Sequence, residues 1–125
     1  MSIAQMADKA WKKRERQVAR WFGAQRVPGS GCDAKYGRSS ASDSTHGVLF
    51  IEVKLRKKHT VVTLWDSVKV KARQEGKVPV VALAEGGRPG WWLLVHCDDA
   101  EAVLWERLEV LYGSAAAAKM KEVLK

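Results

Sequence analysis

Asparagine is missing from this 125-residue chain, cysteine occurs twice and proline three times, and no apolar run approaches the length of a membrane-spanning helix. Each shortage narrows the field. Two cysteines, Cys32 and Cys97, with no CxxC pairing give neither a disulfide framework nor a zinc knuckle and match a reducing compartment. Without a spanning run, and without the basic-then-apolar order of a signal peptide at the N-terminus, the expectation is an intracellular, cytoplasmic protein with no membrane partner. The missing Asn is a bias shared by heat-adapted proteins and skewed genomes, and it excludes no function.

What is present is ordinary in amount and lopsided in placement. With 46% hydrophobic and 29% charged residues the chain has the composition of a folded domain, so disorder is not the default. Its length suits one domain over 1–125, with a helical tail over 114–125. The net charge of +8 lies entirely in the first half: Met1 to Lys58 holds 13 Lys and Arg against 5 Asp and Glu, and the remainder holds nine of each. So one-sided a basic surface fits nucleic acid, an acidic partner or an anionic membrane, the last being the weakest for want of a spanning run.

Periodicity predicts the elements. From Ser2 to about Gln25 the pattern is helical, with Trp11, Val18 and Phe22 on one stripe and Glu15 projecting from that same face. A Gly- and Ser-rich loop follows, Arg26 to Ser42. A strand is expected over "VLFIEVKL", Val48 to Leu55, with Leu49, Ile51, Val53 and Leu55 as its core face and a hairpin turning at His46-Gly47. A second helix opens at Thr63, with Asp66 completing a capping box, and closes at Gly76. "VPVVALA" and "WWLLV" read as strands separated by "EGGRPG"; a third helix runs from about Asp98 to Tyr112. The order describes an α/β fold, a mixed sheet flanked by helices.

The charged pair inside the apolar strand marks a candidate site. If the hairpin turns at His46-Gly47, Asp43 faces Phe50 and shares a side with Glu52, one diagonal step away. Two carboxylates so close repel each other, and a shared divalent cation is the usual reason to keep both ionised. Lys54 projects from that side too, and Glu15 approaches from the first helix. Each has a duller reading: Asp43 as a turn residue, Glu52 and Lys54 as a surface pair, Glu15 in a salt bridge to a neighbouring Arg, Ser30 as part of a plain flexible loop.

Asp43, eight intervening residues, then Glu52-Val53-Lys54, preceded by a helical Glu15, resembles the PD-(D/E)XK nuclease superfamily. The "RVPGSG" segment from Arg26 to Gly31 is similar to that of the archaeal and phage type of Holliday-junction resolvase. The resemblance covers about Trp11 to Leu83, and Asp43 follows Ser42 where the motif has Pro. It implies a restriction-endonuclease-like sheet and an Mg²⁺- or Mn²⁺-dependent endonuclease that resolves four-way DNA junctions as a homodimer, leaving 5′-phosphate and 3′-hydroxyl ends. Asp43, Glu52 and the main-chain carbonyl of Val53 would hold the metal, with Glu15 acting through water or a second metal. Lys54 would position the nucleophile and stabilise charge on the phosphate, and Ser30 would assist at the scissile strand. DNA contacts are expected from Arg26, Ser30, Lys35, Arg38, Arg56, Lys57, Lys58, Lys69 and Arg73. Other branched, nicked or single-stranded DNA is the alternative substrate, and a non-catalytic DNA-binding module the alternative function.

Overall fold

A computed structural model describes residues 1–28 and 42–125. The chain divides into two compact units, Met1–Lys57 and Lys58–Lys125. Secondary structure is mixed: four α-helices and one small two-stranded antiparallel sheet among the described residues. No helix there is long and apolar enough to cross a membrane.

The first unit is built on α1 (Ile3–Trp21). Ser2 caps it: its hydroxyl accepts from the Gln5 N–H at 3.1 Å while the Gln5 side chain accepts from the Ser2 N–H at 2.8 Å, so two orphan donors of the first turn are satisfied reciprocally. The helix stops because Gly23 turns left-handed, at φ +72°, a conformation glycine adopts without a Cβ penalty. Glu15 and Ala19, one turn apart, form its buried face; Trp11 and Val18 are half-buried, and Phe22 is exposed. The face that packs is therefore centred on a carboxylate.

Beyond α1 three extended stretches lie side by side. Residues 25–27 run antiparallel to 43–45: the Thr45 N–H donates to Gln25 O at 2.9 Å and the Val27 N–H to Asp43 O at 3.2 Å, with Arg26 opposite Ser44. Residues 42–43 back onto 51–53, where the Asp43 N–H donates to Ile51 O at 2.7 Å. The expected regular strand over 48–55 does not form. The acceptors for the N–H groups of Ile51 and Val53 are side chains, Ser42 Oγ at 2.9 Å and Asp43 Oδ2 at 2.5 Å, which replaces a backbone ladder by side-chain bonds. Nor does the turn close as a two-residue hairpin. His46 Nδ1 accepts from the N–H groups of Val48 at 3.0 Å and Leu49 at 2.9 Å, widening the loop. Ile51 and Val53 are buried as expected, whereas Leu49, Val48 and Phe50 are exposed.

The second unit begins with α2 (Thr60–Gln74), one turn earlier than the Thr63 start. Thr63 is inside the helix, its hydroxyl donating back to His59 O at 3.3 Å instead of capping. Gly76, at φ +66°, ends the helix where the sequence places its stop. β1 (Val81–Leu83) and β2 (Trp92–Leu94) pair with Val81 opposite Leu94 and Leu83 opposite Trp92. They are shorter and more exposed than two buried strands would be; Trp92 is capped by the Arg88 guanidinium 4.8 Å from its ring. A 3₁₀ turn, Cys97–Asp99, leads into α3 (Ala100–Tyr112), and Gly113 at φ +88° turns the chain into α4 (Ser114–Val123), the expected helical tail. Trp65, Val81 and Ala117 are the buried residues of this unit.

Candidate functional site

The chemistry-bearing residues of the first unit converge on its three extended segments. Glu15 is only 1% exposed, and both of its carboxylate oxygens are engaged: the Trp11 indole N–H donates to Oε1, and the Arg26 Nε–H donates to Oε2 at 2.6 Å. Burying a carboxylate is costly unless a charge and hydrogen bonds compensate it, and Arg26, itself mostly buried, supplies both. Because Arg26 is also bridged to Ser44, this pair ties α1 to the segment that carries Asp43. The sequence offers Arg26 as a DNA contact; its guanidinium here is an internal partner of Glu15.

Asp43 is buried, with Oδ2 on the Val53 N–H, so the acid and the Glu52-Val53-Lys54 segment are physically joined. Their register differs from the expected one. Asp43 lies against Ile51, one residue further along than Phe50, and a one-residue slip exchanges the faces of an extended pair. Asp43 accordingly faces inward with Ile51 and Val53, while Glu52 and Lys54 face outward and pair with each other at 2.8 Å. Among the described residues, Glu15, Asp43 and Glu52 do not form a group with carboxylates within 4.8 Å of one another.

Ser42 is the residue that sequence reasoning missed. Its hydroxyl donates to Ile51 O at 3.0 Å and accepts from the N–H groups of Ile51 and Ser44, fixing the two segments edge to edge. A Ser-x-Ser stretch before an apolar run is a signal for such local bonding, though one shared with ordinary turns.

Beside this layer lies an open cavity of about 660 Å³ lined by Arg16, Arg20 and Arg26 together with Gly23, Ala24 and Gln25. Arg16 and Arg20 stand one helical turn apart, and their guanidinium groups make the cavity suited to an anion such as a phosphate. Arg56 and Lys57 are exposed in the same unit. Ser30, Lys35 and Arg38 lie outside the described residues.

Of the remaining basic residues, Lys58 and Arg73 are exposed in the second unit, and Lys69 is half-buried with its ammonium 5.2 Å from the centre of the Trp65 ring. A 440 Å³ cavity lies there, lined by Val62, Trp65, Asp66, Lys69 and residues 94–97. At its edge the ligand atoms of His96, Cys97 and Asp98 fall within 4.8 Å of one another, but His96 Nδ1 already accepts the Asp98 N–H at 3.1 Å as a turn cap. No protein family, curated protein or solved structure matches this chain.

Proposed function

We propose that this chain is a metal-dependent, structure-selective endodeoxyribonuclease that acts on four-way DNA junctions, built on a restriction-endonuclease-like core. The observation that carries the proposal is the clamp of Asp43 on the Val53 N–H. It joins the two halves of the D…ExK pattern, which are separated by eight residues in the sequence. The arginine-lined cavity and the basic first half of the chain supply the phosphate-binding surface such an enzyme needs.

The donor set suits a hard divalent cation, since Asp43, Glu52 and the Val53 carbonyl offer only oxygen. When bound there, Mg²⁺ or Mn²⁺ supplies charge neutralisation at the phosphodiester and makes water acidic enough to attack it. The chain's own residues do the rest. Asp43 is pre-oriented by its bond to Val53 and costs little to hold in place. Glu52, exposed and paired with Lys54 on the face opposite Asp43, would join such a site only after leaving that pair. Lys54, on the exposed face, would offer its ammonium to a phosphate oxygen, and Arg16 and Arg20 would hold a neighbouring phosphate of the strand. The Glu15–Arg26 pair anchors α1 against this layer.

The test is nicking of a four-way junction and of a linear duplex of the same sequence, with Mg²⁺ and with EDTA. Junction-selective, Mg²⁺-dependent nicking is expected, and Asp43→Asn or Glu52→Gln is expected to lower it by at least about a thousandfold while junction binding survives. The amide introduced by Asp43→Asn keeps an acceptor for the Val53 N–H, so the fold is retained. Equal cutting of both substrates would leave a nuclease for other branched or single-stranded DNA. A second reading has an observation of its own: with Glu52 turned outward onto Lys54, a DNA-binding module without turnover is also accommodated. Tight junction binding with no cleavage by either metal would establish that module instead.

A further inference from the structure

Two aromatic rings face solvent at the end of α1. Trp21 is 51% exposed and Phe22 37% exposed, and they meet edge to face, with ring centroids 4.8 Å apart and planes at 78°. The His46 imidazole extends the row, at 6.5 Å and 88° from Phe22, and its Nδ1 is held by the N–H groups of Val48 and Leu49. Edge-to-face contact leaves flat ring surface uncovered, so the row offers aromatic faces to a ligand.

The arginine-lined cavity lies at the same helix end. Arg20 immediately precedes Trp21, and Gly23 to Arg26, which line the cavity with Arg16 and Arg20, immediately follow Phe22. Open rings beside exposed guanidinium groups match a ligand that is flat and apolar on one part and anionic on the next. A nucleotide with its base unpaired has that form, whereas in a duplex the faces of the base are covered by its neighbours. An anionic lipid surface also combines negative charge with apolar matter, but it takes up a continuous apolar stripe along a helix. From Lys13 to Arg20 the exposed residues of α1 are Lys13, Arg14, Arg16, Gln17 and Arg20, all polar.

We propose that the end of α1 is a stacking site for an unpaired nucleobase, with Trp21 and Phe22 taking the base and the Arg16–Arg20 cavity the adjoining phosphate. The site deepens the junction-nuclease reading and rests on it for the class of ligand, since a branch point is where bases leave the stack.

The probe is a single strand of thymidine nucleotides, compared with the same strand carrying abasic sugars in place of its thymidines, so that the phosphates are equal in number. Affinity of the full chain is read by fluorescence anisotropy of a dye on the strand, in EDTA, so cleavage plays no part. The base-bearing strand is expected to bind about five- to a hundredfold more tightly. Trp21→Ala and Phe22→Ala, both at exposed positions, are each expected to abolish most of that preference with the circular dichroism spectrum unchanged, and Trp21→Phe to keep it. Arg20→Gln is expected to weaken both strands alike and to lower the salt slope by about one. Equal affinity for the two strands, or a preference that survives both alanine substitutions, overturns the inference. Tighter binding to phosphatidylglycerol vesicles than to the thymidine strand, lost in Trp21→Ala, overturns it as well and assigns the rings to lipid. A chain that shows the base preference yet nicks no junction with Mg²⁺ upholds this site and overturns the nuclease reading.

Discussion

The two units differ in whether polar side chains are buried alongside apolar ones. In Met1–Lys57, Glu15, Ser42, Asp43 and Ser44 are buried beside Ala19, Ile51 and Val53; in Lys58–Lys125 the buried set is apolar, and large apolar side chains face outward. Charge divides the same way, with twelve Lys and Arg against five Asp and Glu in the first unit and ten against nine in the second. Buried polar groups hold geometry because hydrogen bonds are directional, and they cost stability unless every member is satisfied. A unit that accepts this cost in a small interior is organised around placing side chains.

Substitutions break this contrast in graded fashion. The largest effect on stability is expected at Arg26→Ala, which takes the guanidinium from a buried carboxylate and lowers the unfolding free energy by about 3–5 kcal/mol in urea titrations. If the loss is below about 1 kcal/mol, the pair does not organise the first unit. Next is Ser42→Ala, which removes the acceptor of the Ile51 N–H and a donor to its carbonyl; about 1–2 kcal/mol is expected, accompanied by faster hydrogen exchange at Ile51. The smallest is in the second unit, where Lys77→Ala removes an exposed 3.1 Å pair with Glu75 and is expected to change stability by less than about 0.5 kcal/mol. A larger loss there would erase the distinction between the units.

Helix ends were the most legible part of the sequence, because capping is local chemistry. Gly76 stops its helix where glycine predicts, and the Ala-rich tail is a helix, whereas the first helix ends at Trp21, before Gly23, rather than near Gln25. Thr63 misled because a threonine followed three later by Asp66 matches a capping box equally well from inside a helix, where its hydroxyl bonds back to His59. The burial of Glu15 was also readable, from a carboxylate on an apolar stripe, as was a neighbouring arginine as its partner. The register of Asp43 was not. Alternation along Val48–Leu55 fixes which residues share a face, but not which residue stands opposite. Here Ser42, Asp43 and His46 decided that by accepting N–H groups with their side chains. No period records such bonds. The expected mixed sheet was inferred from the same alternation, and among the described residues the sheet consists of β1 and β2.

The side-chain acceptors of Ile51 and Val53 have a consequence for the behaviour of the chain in a crowded solution. A strand edge with open N–H groups recruits strands from other molecules, and the neighbouring Val48, Leu49 and Phe50 are apolar and exposed enough to reward such recruitment. With Ser42 and Asp43 already seated on those two donors, a foreign chain finds no hydrogen bonds to complete there. The same two residues that shape the site thus also close one edge of the segment that follows this exposed apolar stretch.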